Sequence, residues 1–202
     1  MPTYPGIGQR PTLPTETQTG QPLQNGKLGP CDLTPVFLAG VGQGSLHPYT
    51  ARAWSALSVS CVASTGATLT ATSIADTYRS YAQQESVFRQ RMLPRYDPVR
   101  CTTTTRIWDG QRWWLRRGMA PVATPGASNH GLGIAIDMAV WSGGKIRPVA
   151  ASVAWPWLLA NAVSFGFAWE LESESWHIRH MAGDAVTQRV LDVEAFLAAA
   201  KP

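Results

Sequence analysis

The segment SNHGLGIAIDMAV, residues 128–140, places an aspartate in the middle of an apolar, strand-forming run. Strands of this kind bury apolar side chains, so the carboxylate of Asp137 needs a partner from elsewhere in the chain. His130 lies just upstream, and the intervening Gly131 and Gly133 argue against a shared helix face. The segment therefore predicts a loop that folds His130 back and a strand that aims Asp137 off the sheet.

Hydrophobic periodicity predicts the elements around this strand. Helical spacing covers residues 47–62, 81–93, 152–166 and 184–200, with Pro48 in the first turn of the first helix. Ser152 and Gly166 are the expected N-cap and C-terminal stop of the third helix. Residues 67–80, 134–140, 167–171 and 176–181 have strand character. Because these elements come in mixed order with short connections, we predict an α+β domain with a small, mainly antiparallel sheet flanked by helices.

Two segments fall outside this pattern. Residues 1–30 are rich in Pro, Gly, Thr and Gln, which predicts an extended arm without a core of its own, ahead of a globular domain at 31–202. The arm is either a disordered tail or a segment that docks on a partner in an assembly. Residues 93–127 contain RIWDGQRWWLRR, in which Asp109-Gly110 predicts a two-residue hairpin turn. This Trp- and Arg-rich insertion is either a flap packed on the domain or a surface that stacks on sugar rings and pairs with anions.

Composition narrows the classes of function. A net charge of +4 suits an anionic partner, but the basic residues outside the insertion are scattered and match no nucleic-acid reader motif, so we expect no nucleic acid. No apolar run of about 18 residues is present, so we expect no membrane span. The N-terminus lacks the basic and apolar regions of a signal peptide. Cys31, Cys61 and Cys101 allow at most one internal disulfide, whose pairing stays open.

The four histidines suggest a metal site. A zinc site takes neutral imidazoles and sometimes a carboxylate, and leaves one position open when it is catalytic. The segment ESWHIRH offers His177 and His180 on a neighbouring strand, and only one of them should face the metal because their spacing turns them to opposite sides. Glu174, just before that strand, suits a general base for hydrolysis. Taken singly, Asp137 also fits a turn or capping carboxylate, and His177 a packed core histidine.

Three motifs together resemble one enzyme family. The pattern SxHxxGxAxD runs from Ser128 to Asp137, ESWH covers 174–177, and YRSYAQQ covers 78–84. In this order and spacing they resemble the VanY-type D-alanyl-D-alanine carboxypeptidases, which are zinc peptidases with a hedgehog-like, D-Ala-D-Ala peptidase fold. The resemblance spans roughly residues 70–181. NGKL and LHPYTARAW also look like segments of phage and actinobacterial members.

The resemblance implies a role for each matching residue. His130, Asp137 and His177 would bind Zn²⁺, Glu174 would be the catalytic base, and His180 would be no ligand. Trp176 would pack beneath the ligands. Arg79 would also serve catalysis by stabilising the oxyanion, or would hold a substrate carboxylate. The residues implied in substrate binding are Arg79, Ser80, Gln84 and Ser128.

The implied substrate is the peptidoglycan stem peptide, cut at D-Ala-D-Ala or at L-Ala-D-Glu. Ser175 replaces the proline of the family's EPWH motif, which should loosen that turn, and the insertion at 93–127 is longer than in minimal members. Without a visible signal peptide, we expect a phage lysin released by lysis or a virion tail component, with the arm contacting other virion proteins. The alternative is a structural tail-tip component that uses the domain to bind cell walls.

Overall fold

The computed structural model describes residues 4–15 and 20–200. Within these ranges the helices are α1 (Pro48–Thr65), α2 (Tyr81–Arg91), α3 (Trp155–Asn161) and α4 (Gln188–Ala199). The strands are β1 (Thr34–Leu38), β2 (Gly42–Leu46), β3 (Thr68–Ala71), β4 (Met92–Leu93), β5 (Cys101–Trp108), β6 (Gln111–Arg116), β7 (Ala135–Ser142), β8 (Lys145–Pro148), β9 (Phe167–Trp169) and β10 (His177–His180). The mixture confirms the predicted α+β class. Among the described residues, no helix is both long and apolar enough to cross a membrane.

A five-stranded antiparallel sheet organises the domain. Its order is β3-β7-β10-β9, and β8 pairs with the far end of β7. The central strand β7 pairs with β10 through residues 135–137 and with β3 through residues 138–141. The segment that carries Asp137 is therefore held by neighbouring strands on both sides.

Helix α1 covers one face of this sheet. It starts at Pro48, as predicted, and ends at Thr65, and the next residue, Gly66, adopts the left-handed backbone conformation (φ 73°) common after helices. The apolar residues that recur at helical spacing along it are all buried: Ala51, Trp54, Leu57 and Cys61. They join the main core with side chains from β7 and β10, such as Ile136 and Ile178. All three cysteines are free, and only Cys31 is exposed.

The insertion forms a second, smaller layer. Its strands make an antiparallel sheet in the order β4-β6-β5, and the predicted turn is present, with positive φ at both Asp109 (51°) and Gly110 (69°). These angles match the type I′ turn that suits a two-residue hairpin. A separate apolar cluster, Phe88, Met92, Trp113, Leu115 and Val122, packs the hairpin on α2. The hairpin thus packs on α2, and stacking on sugar rings or pairing with anions stays a prediction.

Three predicted elements are wrong in extent, and the first of them, the helix expected at 184–200, begins only at Gln188. The strand expected at 67–80 ends at Ala71, because the following side chains form local hydrogen bonds: Thr77 Oγ1 donates to the Ile74 carbonyl (2.7 Å) and Ser73 Oγ to the Asp76 carboxylate (2.9 Å). The helix expected at 152–166 is α3 followed by a 3-10 turn at 162–165. Ser152 is not its N-cap, since the Ser152 hydroxyl donates back to the Val149 carbonyl. Gly166 does end the turn, with φ 85°.

The described part of the arm packs on its own domain. The Tyr4 ring meets the Trp155 ring edge-on at 5.5 Å, and Thr12 forms a β-bridge with Ala182. The Thr15 amide donates to Asp184 (2.9 Å). Residues 1–3 and 16–19 of the predicted arm lie outside the described residues. The domain boundary near residue 30 and the docking of the arm on other proteins remain predictions.

Candidate metal centre

Strand register brings the first two candidate ligands together. Asp137 on β7 and His177 on β10 are direct antiparallel partners, so both side chains leave the same side of the sheet. The His177 Nδ1 atom lies 2.7 Å from Asp137 Oδ1. Aspartate in the middle of this strand is thus explained by its cross-strand neighbour.

A short helical turn carries the third candidate. Asn129–Leu132 forms a 3-10 turn that ends at Gly133 in the left-handed conformation, and His130 is buried within it. The His130 Nδ1 atom lies 2.9 Å from the Thr77 carbonyl, which orients the ring so that Nε2 faces Asp137 Oδ1 at 3.4 Å. The loop does fold back, as its glycines predicted.

These three residues fit a zinc ion. One ligand atom from each of His130, Asp137 and His177 lies within 4.8 Å of the others. Two imidazole nitrogens and one carboxylate oxygen form a donor set of the kind that catalytic zinc sites use with one position left open. The site also opens into a cleft of about 290 Å³ that Glu174 and Arg79 line.

Strong electrostatic coupling holds the cluster together. Burial acts to raise the pKa of Asp137, but hydrogen bonds with His130 and His177 outweigh it and keep that pKa far below its usual range. Burial acts to lower the pKa of His177, yet hydrogen bonds with Asp137 and Glu170 raise it to about 9. The carboxylates of Asp137 and Glu170 therefore favour a positive charge at His177. A bound cation can supply that charge in place of the proton.

Glu170 belongs to the site although the sequence motifs do not mark it. Its Oε2 atom lies 2.9 Å from His177 Nε2, the ring nitrogen that faces away from Asp137. Asn129 donates to the same oxygen (2.8 Å) and Arg179 pairs with Oε1 (3.1 Å). The hydrogen bond with His177 lowers the pKa of Glu170 to about 2. The one sequence signal for Glu170 is its position just after β9, the strand that neighbours β10 in the sheet.

Arg79 is fixed on the other side of Asp137. Its Nε donates to the Ala75 carbonyl and its Nη1 to Gln84 Oε1, both at 3.1 Å, and its Nη2 lies 4.0 Å from Asp137 Oδ2. Gln84 in turn donates to the Ala123 carbonyl (2.7 Å). The guanidinium is therefore held rigidly at the cleft, together with Gln84.

The remaining predicted residues differ in where they lie. Glu174 lines the cleft, and burial raises its pKa. Ser128 is buried and also lines the cleft, whereas Ser80 caps α2 by accepting the Gln83 amide (3.3 Å) and is not among the described residues that line it. Trp176 does not pack beneath the ligands as expected, because its side chain is 40% exposed and faces the cleft.

His180 lies apart from the cluster. Its ring is fully buried against the Phe167 ring, 5.7 Å between centroids, and burial lowers its pKa to about 4. The metal-binding group found among the described residues does not include it. The strand alternation that predicted this separation accounts for it.

A family model matches the part of the sequence that carries this site. The model of the D-alanyl-D-alanine carboxypeptidase family, VanY, matches residues 43–183, well over half of the chain. The chain belongs to the VanY family. VanY-family proteins are zinc peptidases that act on peptidoglycan, so the predicted zinc metallopeptidase class is confirmed. No curated protein matches the sequence significantly.

Solved structures share the VanY-type fold. VanYB in complex with D-alanine-D-alanine is 18% identical, with a TM-score of 0.50 over 93% of this chain and 97% of that one. The LD-carboxypeptidase LdcB is 21% identical, with a TM-score of 0.51 over 86% and 80%. The D,D-dipeptidase VanXYg, in complex with a D-Ala-D-Ala phosphinate analogue, is 15% identical, with a TM-score of 0.50 over 93% and 71%. At these identities the likeness concerns the fold.

Proposed function

We propose that this peptidoglycan peptidase hydrolyses stem-peptide amide bonds at the cluster His130, Asp137 and His177, with these three side chains as the zinc ligands. The observation that carries the proposal is their convergence from a loop and two paired strands onto one point, at the edge of a cleft. A zinc ion held by these three side chains would supply Lewis acidity, which would polarise an amide carbonyl and activate water near neutral pH.

The residues that line the cleft then have separate roles in the hydrolysis. Glu174 takes the proton from the attacking water and passes it to the leaving amine, and its raised pKa suits a group that must both accept and return a proton. Arg79 holds developing negative charge on the substrate oxygen, or a substrate carboxylate, with a guanidinium that its hydrogen bonds already orient. Gln84 and Ser128 line the substrate side of the cleft.

The D-Ala-D-Ala bond is the first candidate for cleavage. The family's description supports it, as do the ligands bound to VanYB and VanXYg. Cleavage at L-Ala-D-Glu and endopeptidase action are the alternatives within the same proposal. Mass spectrometry of muropeptides released from purified cell walls identifies the bond that the enzyme cleaves.

The test of the catalytic assignment is a pair of glutamate variants. We expect Glu174→Gln to lower kcat by about 10²–10⁴-fold, the usual contribution of a general base, while bound zinc stays at the wild-type level by elemental analysis. Glu172→Gln is the matched control, since Glu172 is exposed and does not line the cleft. Full muropeptide release by Glu174→Gln would overturn the assignment.

A phage-borne lytic role is a further part of the proposal. The resemblance of NGKL and LHPYTARAW to phage members supports it, and the alternative is a tail-tip component that only binds walls. A zymogram on cell walls, with and without a chelator, separates the two: clearing that a chelator abolishes favours the enzyme. Wall binding without release of peptide favours the binding component.

A further inference from the structure

Two more arginines line the cleft beside Arg79. Arg91 ends α2 and Arg106 lies on β5, and both face the space that His177 and Glu174 border. They come from different elements, one of them the insertion. The cleft therefore combines a metal-binding edge with a basic edge.

Arg91 and Arg106 differ from Arg79 in their contacts with the rest of the protein. Arg79 makes hydrogen bonds and ion pairs within the protein. Among the described residues, Arg91 has no ion pair or side-chain hydrogen bond, and Arg106 donates only to its neighbouring carbonyl of Thr105 (3.1 Å). Both guanidinium groups thus retain donors for a ligand, and a guanidinium matches a carboxylate in shape and charge.

The hairpin that carries Arg106 is packed on α2, the helix that carries Arg91. The Arg89 guanidinium lies 4.7 Å from the Trp108 ring centre and 5.4 Å from that of Trp113. The Phe88 ring lies 5.3 Å from the Trp113 ring, and Trp113 is the cross-strand partner of Arg106. These contacts join α2, which carries Arg91, to β5 and β6, and β5 carries Arg106.

We propose that Arg91 and Arg106 form a carboxylate subsite, which binds an acidic group of the stem peptide on a residue other than the one that Arg79 serves. This inference rests on the proposed function and adds a substrate preference to it. Among stem peptides, those whose third residue is a diaminopimelate carry an additional free carboxylate, which lysine or an amidated diaminopimelate lacks. The subsite favours the free acid.

The test compares two peptides that differ only in that carboxylate, free or amidated. We expect the wild-type enzyme to prefer the free acid by about 10–100-fold in kcat/KM, the range of a charge-assisted hydrogen bond. In Arg91→Gln, Arg106→Gln and the double variant this ratio falls towards one. Arg112→Gln keeps the wild-type ratio, because Arg112 is exposed on the same hairpin but outside the cleft lining.

A binding measurement separates failure of the subsite from failure of the proposed chemistry. Calorimetry of both peptides on zinc-loaded Glu174→Gln protein reports the preference without turnover. Cleavage of both peptides with equal kcat/KM, or a preference unchanged in the double variant, overturns the subsite. Preferential binding of the free acid without any cleavage by wild type supports the subsite and overturns the proposed function instead.

Discussion

Glu170 is hydrogen-bonded to one ring nitrogen of His177, and the other ring nitrogen faces the candidate metal site. Glu170 Oε2 lies 2.9 Å from His177 Nε2, while His177 Nδ1 lies 2.7 Å from Asp137 Oδ1. The imidazole is therefore held between an inner and an outer carboxylate. An outer carboxylate of this kind fixes the ring orientation and makes the ligand nitrogen a better electron donor.

We predict that Glu170→Gln weakens zinc binding by about 10–100-fold, the usual effect of removing such a partner. The glutamine preserves the shape but removes the charge that orients His177. Competition with a fluorescent zinc chelator measures the affinity. Activity should return when zinc is raised to saturation, which separates this positioning role from the role proposed for Glu174. Unchanged zinc affinity would contradict the prediction.

Zinc binding should release a proton from His177 below about pH 9. The pKa of His177 is raised to about 9 in the metal-free protein, so zinc must displace that proton at neutral pH. We expect the apparent zinc affinity to rise about tenfold per pH unit between pH 7 and 9. Calorimetry in buffers of different ionisation enthalpy counts the released proton. Affinity independent of pH in this range would show that His177 binds zinc without titrating.

The raised pKa of His177 also affects the stability of the zinc-free protein. A histidine pKa raised on folding adds stability that is complete below the unfolded value of about 6.5 and is lost as pH rises through 9. We expect the free energy of unfolding of the metal-free protein to fall by about 3 kcal/mol over this window. Urea titrations in the presence of a chelator provide the measurement, with His177→Gln expected to show a flatter profile.

His180 should make the protein sensitive to mild acid. Its pKa is lowered to about 4 by burial, so its contribution to stability is present above about pH 6.5 and is lost as pH falls towards 4. We expect a loss of about 3 kcal/mol in wild type and a flatter profile in His180→Leu. Urea unfolding of the metal-free proteins at pH 7 and 4.5 compares the two. Identical losses in both proteins would exclude His180 as the cause.

Gly133 should be essential to the loop that carries His130. Its φ is +65°, and a Cβ there would lie 2.6 Å from the His47 amide nitrogen, a group that donates to the Gly133 carbonyl. We predict that Gly133→Ala costs about 2–4 kcal/mol of stability from backbone strain and contact together, and that it weakens zinc binding.

Gly143→Ala provides the matched control for that variant. Gly143 also has positive φ (57°), but its added Cβ meets nothing within 4 Å. Its substitution should therefore cost only the strain of a left-handed backbone with a Cβ, about 1 kcal/mol, and leave zinc affinity unchanged. Equal losses in the two variants would show that the contact with His47 carries no energy of its own.

Local sequence determined much of the fold. The spacing of apolar residues predicted α1, and the Asp109-Gly110 pair predicted the hairpin turn, because these features depend on neighbours along the chain. Local hydrogen bonding also explains the main error: the Ser and Thr side chains at 72–77 bond to nearby groups and end β3 early. The alternation of residues that predicted a longer strand could not reveal that these side chains compete with strand pairing for hydrogen bonds.

The sequence by itself predicted the family, the zinc and the residues of the candidate centre, because the motifs combine residue type with spacing. Only the tertiary structure decided which other side chains reach that centre. Glu170 meets His177 because β9 pairs beside β10, and Arg106 enters the cleft because the hairpin packs on α2. Such contacts depend on strand register and on packing between distant segments, which no local pattern of residues specifies.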